Sequence, residues 1–573
     1  MKASDVLPIL RWLPGYHRQA MGQDLLAAAL VTFLVIPQSL AYGLLAGVPA
    51  YIGLYASILP PLIYAIFGTS RTLAVGPVAI IALMTSAALT PLFPQGSPEY
   101  LTAAVVLSLI SGLMLVLMGA LRLGFLANFL SHPVVSAFVT ASAIVIILNQ
   151  LRHLLGITAS GSNLFELLPP LFAQLDRVHL PTLMIGLATM GFLIVTRRHL
   201  RPILQGFGLP ASRATLLARL APIVALGVSI LANWFWRLDQ QGVAVVGQIP
   251  SQLPGLSWPE FDLSLWRELA VSALLISLVG FVESVSIGQT LAARQRERID
   301  ANQELVALGG ANLGAAFSSG IPVSGGFSRT AVNDDAGART PIAGIYTAIG
   351  IAVVTLLLTA VLAYLPLATL AAAIIVAAGS LVDWKTFWQT RRYSLGDFGA
   401  MIATLAMTLG HSVEAGIIAG VGLSIGLFLY RTSRPHCAIV GRVPGTEHFR
   451  NVKRHEVETT DHVALLRVDE SLYFANARFL EDRVLALVAE RPKMTDVVLV
   501  CAAVNHIDAS ALESLEMLDH RLGEAGVRLH FAEIKGPVMD RLRDTVLLEN
   551  LRGEVHLSTY AAWTFLRPSS ANP

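Results

Sequence analysis

Charge is the first thing this 573-residue chain lacks: Asp, Glu, Lys and Arg make up 14% of it, against about 25% in a typical soluble domain. With 54% hydrophobic residues and a mean hydropathy of +0.64, an ordinary soluble enzyme is excluded. A formal net charge of +2 and the absence of any Lys/Arg run exclude a nucleic-acid partner. Cysteine is nearly absent too. Cys437 and Cys501 have no second Cys or paired His at zinc-site spacing, so both read as reduced structural thiols and no metal is expected. The N-terminus lacks a basic region followed by an apolar core, so no cleaved signal peptide is expected and the chain is expected to start in the cytosol. No nucleophile motif, phosphate-binding Gly-rich loop with a Lys, or metal-ligand cluster is present, which argues against an enzyme and any cofactor.

The charge that exists is unevenly placed. His436–Pro573 holds 36 of the 78 charged residues, leaving roughly one in ten over the first 435 positions. Membrane composition therefore precedes a tail of cytosolic composition. With about 20 helical residues per bilayer crossing, apolar runs place spans near 24–45, 50–67, 72–92, 100–121, 125–149, 180–197 and 214–236. A second set falls near 266–290, 301–317, 318–336, 340–363, 365–381, 396–410 and 413–430. The division is a cytosolic segment 1–23, a first seven-span half 24–237, an outside loop 238–265 and a second half 266–431. A linker 432–455, a small α/β domain 456–567 and a tail 568–573 follow. With the N-terminus inside, the loops expected in the cytosol hold Arg71, Arg122, Arg197, Arg198, Arg201, Arg294, Arg296, Arg298, Arg339, Lys385, Arg391, Arg392, Arg431 and Arg434. Those expected outside hold no Lys, and carry Arg152, Arg177 and Arg237 with Asp239, Glu260 and Asp262. This asymmetry fits the positive-inside rule and puts both termini in the cytosol. In the tail, strands are expected at His462–Val468, Asp496–Cys501 and Val527–Ala532, and helices at Ala477–Glu490, Ser510–Gly523, Val538–Leu551 and Ala561–Leu566.

Two spans are interrupted. The third begins Thr72-Leu-Ala-Val-Gly-Pro77, so its helix is expected to start at Pro77, partway across the membrane. The tenth begins Ser318-Ser-Gly-Ile-Pro-Val-Ser-Gly-Gly-Phe-Ser-Arg329 and should stay extended until a helix near Phe327. The two hold the same ordinal place in halves that run in opposite directions, the sequence pointer to a transporter's midplane site. Facing helix N-termini present unpaired N–H groups and positive dipole ends, which favour an anion; Ser328 adds a hydroxyl and Arg329 a permanent cation. The plainer reading is a kink, with Arg329 reaching for the interface. Glu283 is a carboxylate in an otherwise apolar span, where an ionisable group is a functional candidate. Burial opposes its charge and a nearby Arg329 favours it, so its protonation would answer to what fills the site; the plainer reading is a fixed Glu283–Arg329 ion pair. In the first span Pro37 is expected to break the backbone beside Gln38 and Tyr42, which lie one turn apart on one face.

Pro37-Gln-Ser-Leu-Ala-Tyr-Gly-Leu-Leu-Ala-Gly-Val-Pro49, Gly53-Leu-Tyr55, Tyr64-Ala-Ile-Phe-Gly-Thr-Ser70 and Val75-Gly-Pro77 resemble the N-terminal signature of the sulfate permease (SulP) family. Ser324-Gly-Gly-Phe-Ser-Arg-Thr-Ala-Val-Asn333 with Gly337-Ala-Arg-Thr340 resembles its second signature. The family includes bacterial sulfate, bicarbonate and dicarboxylate transporters and the animal anion exchangers related to prestin. The resemblance implies a polytopic α-helical fold of fourteen spans in a 7+7 inverted repeat, split into core and gate domains that move as an elevator, usually in a homodimer. It implies an anion site at Gln38, Tyr42, Val78, Phe327, Ser328 and Arg329, with Glu283 as the coupling acid. Sodium-coupled bicarbonate members carry an Asp in that span with a hydroxyl residue one turn on. Here that position is Ile287, which turns the expectation toward H⁺ rather than Na⁺. The tail resembles a STAS domain, in whose bacterial antagonists an Asp-Ser-Ser-Gly turn carries a regulatory phosphoserine. This chain reads Asp508-Ala-Ser-Ala511, leaving Ser510 as the candidate phosphorylation site or merely an N-cap. The expectation is a multi-pass transporter of the bacterial inner membrane that takes up an inorganic anion, sulfate first, by proton symport, and whose STAS domain has a cytosolic partner. Bicarbonate, chloride exchange or a C4-dicarboxylate are the alternatives in kind. A sensor that signals through its tail and transports nothing is the alternative in class.

Overall fold

The computed structural model describes residues 7–567 apart from 130, 159–160, 162, 211–213, 215–216, 219, 257 and 260. The tail 568–573, the first six residues of segment 1–23, positions 215, 216 and 219 of the seventh span, and Glu260 lie outside the described residues, as does the side chain of Arg294.

Two units emerge, Met1–Ser424 and Ile425–Pro573. In the first, apolar runs become helices α1 (Arg18–Leu45), α2 (Ala50–Tyr55), α3 (Leu59–Phe67), α4 (Ala79–Leu89), α5 (Pro98–Ala120), α6 (His132–Leu155), α7 (Leu164–Ala173), α8 (Leu180–Val195) and α9 (Ala221–Trp236). After the midpoint come α10 (Leu263–Gln295), α11 (Ala301–Phe317), α12 (Phe327–Asp335), α13 (Ile342–Leu357), α14 (Leu367–Gly379), α15 (Trp384–Tyr393), α16 (Leu395–Gly410) and α17 (Val413–Ser433). Each expected span contains helix among the described residues, the third and tenth only from Ala79 and Phe327 onward. Among the described residues eight helices or helix pairs are long and apolar enough to cross a membrane alone. The 11 residues of α4 and 9 of α12 reach only about half a bilayer at 1.5 Å per residue. Helices α7 and α15 were not expected: α7 carries Pro169 and Pro170, and α15 has the polar composition of a loop.

Contacts sort these helices into two bundles. In one, α11 packs on α5 and α3, α13 on α1 and α3, and α12 on α1; in the other, α6 packs on α14 and α16, and α8 on α14. Helix α1 also meets α14 and α9, and so borders both. The expected break at Pro37 does not occur, and α1 runs unbroken through it. Proline removes one ladder hydrogen bond, and within a membrane bundle packing on neighbours tolerates that single loss.

Ahead of α4 and α12 lie the two-residue strands β1 (Val75–Gly76) and β2 (Ser324–Gly325), paired antiparallel with Val75 opposite Gly325 and Gly76 opposite Ser324. Backbone at this depth has no water to bond, so side chains complete it. Asn312 brackets Val323, accepting its N–H at 2.9 Å and donating to its carbonyl at 3.0 Å. Ser284 accepts the Gly325 N–H at 2.9 Å, Thr330 accepts from Ala74 N–H at 3.1 Å, and Asn333 donates to Thr72 O at 2.9 Å. The loop into β1 is anchored by Glu304, 1% exposed. Its carboxylate accepts the Tyr64 hydroxyl at 2.8 Å, the Thr69 N–H and hydroxyl at 2.7 and 2.6 Å, and the Ser70 N–H at 3.2 Å.

The second unit holds a six-stranded sheet in the order β4-β3-β5-β6-β7-β8. Its strands are β3 (Cys437–Arg442), β4 (Phe449–Asn451), β5 (Val463–Val468), β6 (Asp496–Val500), β7 (Arg528–Ala532) and β8 (Val555–His556). Strands β5 to β8 run parallel and β3 is antiparallel to both neighbours. The segment 432–455, expected as a linker, therefore supplies two strands. Alternation divides each strand between two cores. Leu466, Leu499 and Phe531 meet α18 (Ala477–Ala489) and α19 (Ala509–Glu524), while Leu465, Val498 and Ala532 meet Trp563 near the end of the unit. The expected helix Val538–Leu551 is interrupted, giving α20 (Gly536–Leu542) and α21 (Val546–Glu549) ahead of α22 (Thr559–Leu566). Asp508, not Ser510, caps α19, accepting the Ala511 N–H at 2.8 Å; Ser510 is exposed in the first turn. Both cysteines are free, and burial pushes the Cys437 thiol up to about 11 and Cys501 to about 12, so neither is thiolate at neutral pH.

Replacing Glu304 with Ala leaves three N–H and O–H groups and a tyrosine hydroxyl without their acceptor. It should destabilise the membrane unit by about 3 kcal/mol, read as a lowered melting midpoint of the purified protein in detergent; an unchanged midpoint would show the loop is held otherwise.

Candidate functional site

Helix α4 starts at Ala79 and α12 at Phe327, with Val78 and Gly326 in extended conformation as their N-terminal flanks. The expected starts were Pro77 and about Phe327, so the sequence placed both within two residues. The first ladder bonds are Ala82 N–H to Val78 O and Thr330 N–H to Gly326 O. The N–H groups of Ala79 to Ile81 and Phe327 to Arg329 thus precede both ladders, and no side chain caps either helix.

Both ends open on one cavity of about 520 Å³. Gln38, Tyr42, Glu283, Ser328 and Arg329, and Val78 and Phe327 that the family resemblance implied, all line it. Gln38 donates its amide N–H to Ser328 Oγ at 3.2 Å, joining α1 to the start of α12. Arg329 is 3% exposed and its guanidinium donates to the Pro77 carbonyl, bridging the two broken segments. Gly76 and Gly326 are what allow this. A Cβ on Gly326 would lie 2.6 Å from Arg329 Nε, and one on Gly76 would collide with Nη1. Tyr42 and Glu283 line the same cavity as Arg329. Among the described residues Glu283 and Arg329 form no ion pair, and the buried Glu283 Oε2 has no hydrogen-bond partner, so the fixed-pair reading fails. The hydroxyl next to it is committed: Ser284 Oγ donates to Gly280 O at 2.6 Å and accepts from Gly325.

The second bundle supplies the facing wall: Leu193 from α8, Ala221 and Pro222 from α9, Ile374 and Ala377 from α14, with Thr196, Arg197, Arg201 and Ser380. Sequence reasoning had Arg197 and Arg201 only as cytosolic loop charges and α14 only as a span, missing its place in the cavity wall because its residues look like those of any span. It also missed Ser284 and Asn312, the supports of β2; a serine beside Glu283 and an Asn within an apolar helix were the available signals.

A cavity between two bundles of apolar helices, entered by two uncapped half-helices, defines a polytopic membrane transporter. Comparison with known proteins specifies it: residues 21–404 match the Sulfate permease family and 454–562 the STAS domain. The chain belongs to the sulfate permease family, whose members are transporters and not enzymes. It is 35% identical over 529 residues to "Sulfate transporter 4.1, chloroplastic" of Arabidopsis thaliana, covering 90% of this chain and 75% of that one. It is 33% identical to "Probable sulfate transporter Rv1739c" of Mycobacterium tuberculosis, covering 95% and 96%. The fold matches that of the murine anion transporter Slc26a9, solved in an inward-facing state, with a TM-score of 0.89 at 22% identity over 99% of this chain and 95% of that one.

A Gly76→Ala substitution should displace the guanidinium and weaken anion binding at least tenfold, roughly 1.4 kcal/mol, while the protein remains monodisperse. Calorimetric titration of the purified protein with sulfate checks it.

Proposed function

We propose that this protein takes up sulfate by proton symport. The observation that carries the reading is the pair of uncapped helix N-termini with Arg329 between them in one cavity. Six N–H groups ahead of the two ladders, two positive dipole ends, a guanidinium and the Ser328 hydroxyl suit a tetrahedral dianion. The sulfate transporters among its relatives favour that anion over bicarbonate or a dicarboxylate. Glu283 is the coupling acid: it lines the same cavity and has a buried oxygen without a hydrogen-bond partner. A Na⁺ site is disfavoured there, because Ile287 stands one turn on and the Ser284 hydroxyl is taken. Helix α10 packs on α5, and α4 on α10 and α1, so the first bundle carries all the candidate ligands and an elevator motion of it against the second moves the site as one body. The assembly we propose is a homodimer in a bacterial inner membrane with both termini in the cytosol. Ser510, exposed beside the capping Asp508, is the proposed regulatory phosphorylation site: phosphate there would repel the Asp508 carboxylate.

Proteoliposomes holding only this protein should accumulate radiolabelled sulfate faster under an inward proton gradient. Glu283→Gln should keep sulfate binding but lose the acceleration; a variant that responds fully to the gradient removes Glu283 from coupling. Uptake of bicarbonate or succinate in place of sulfate would reassign the anion, and no flux of any anion would leave the sensor. For Ser510, Ala and Asp substitutions should change the uptake rate in cells in opposite directions; identical rates would discard the site.

A further inference from the structure

Helix α15 takes no part in the cavity, and its composition is at odds with its neighbours. It follows α14 so closely that Leu367–Tyr393 reads as one apolar stretch, yet residues 384–393 include Lys385, Gln389, Arg391 and Arg392. Three cations within ten residues do not lie in hydrocarbon. One face is turned inward, with Thr390 buried and Phe387 edge-on to Phe398 of α16 at 5.0 Å between ring centres. The other face is exposed and of two kinds. Trp384 and Trp388 are each more than half exposed, and Lys385, Arg391 and Arg392 are exposed beside them. The Arg391 guanidinium lies over the Trp388 ring, 5.5 Å from its centre, which fixes its plane while leaving its N–H edges free. The carboxylate nearest in sequence, Asp383, is engaged as the helix cap by the Thr386 N–H at 3.0 Å and hydroxyl at 2.5 Å. Asp397 lies beyond the helix, in the first turn of α16.

We propose that α15 is a binding site for the headgroup of an anionic phospholipid, with Trp384 and Trp388 at the acyl boundary and Lys385, Arg391 and Arg392 on the phosphate. An exposed tryptophan pair next to cations, with no uncommitted carboxylate in the helix, is the pattern of a helix lying in an anionic interface. The leaflet is the one that the basic-loop asymmetry assigns to the cytosol. Occupancy bears on transport because the connection to α14 is short and tied down: the Asp383 N–H donates to Thr140 Oγ1 of α6 at 3.2 Å. Ala377, Ala378, Ser380 and Leu381, just before it, line the cavity. Arg197 donates to the Val376 carbonyl at 3.3 Å, bringing a further cation to this end of α14.

The test is titration of the full-length protein in uncharged detergent with phosphatidylglycerol and, separately, phosphatidylcholine, bound lipid being counted by native mass spectrometry. Phosphatidylglycerol should bind selectively. Combining Lys385→Gln, Arg391→Gln and Arg392→Gln should weaken it roughly 100-fold, about fivefold per charge, whereas Arg391→Lys with Arg392→Lys should stay within a few fold of the native chain. Equal binding of the two lipids, or undiminished phosphatidylglycerol binding by the triple Gln variant, overturns the proposal. So does displacement by inorganic phosphate, which would make the occupant a soluble anion. Should the triple variant fail to stay monodisperse, Lys385→Gln alone reads the same effect at about fivefold, and no weakening there overturns it equally.

Discussion

The membrane unit depends on four residues of paired backbone. Extended chain in the middle of an apolar bundle carries donors and acceptors that lipid cannot satisfy, and Val75–Gly76 against Ser324–Gly325 lets two such segments satisfy each other. The pairing dictates much else. It requires glycine where the guanidinium of Arg329 passes, and it needs Asn312, Ser284, Thr330 and Asn333 to bond the groups beyond the two-residue ladder. Because the strands are antiparallel and each feeds a helix, both helix ends arrive at the same place from opposite directions. The cavity that both helix ends enter is a by-product of closing the backbone.

This is also why the pair of interrupted helices was legible in the sequence. Pro77 and the Ser318–Gly326 stretch cannot continue a helix, and their matched positions in two halves are visible without coordinates. Arg329 and Glu283 are conspicuous by being charged where charge is scarce. Pro37 misled for a related reason: a proline reports a missing N–H, but whether the helix yields depends on neighbours the sequence does not name. The supporting Ser284 and Asn312 were hidden because polar residues in a membrane helix announce a hydrogen bond without its partner, here 41 and 11 residues away.

In the second unit, the parallel strands β5, β6 and β7 were readable from Val- and Leu-rich runs, whereas β3, β4 and β8 were not. Phe449–Asn451 and Val555–His556 are too short to carry a period, and become strands only because an edge is there to receive them. Asp496, 3% exposed, shows the tertiary context at work. Burial alone would raise its carboxyl, but hydrogen bonds from Thr495, Arg528 and His530 outweigh it and hold the group below the usual carboxylate range.

The cavity's two walls differ in a way that bears on rate. Donors and charges crowd the first bundle, while the facing surface, away from Thr196, Arg197, Arg201 and Ser380, is Leu193, Ala221, Pro222, Ile374 and Ala377. Side chains of that kind hold no preferred hydrogen-bonded register, so under the proposed elevator motion one bundle would slip along them without breaking a directional bond at each step. That apolar part of the wall would act as a dry bearing. Friction, and with it the barrier to turnover, would then be set by methyl groups interlocking across the interface, and small changes in their shape would alter speed while leaving affinity for the cargo intact.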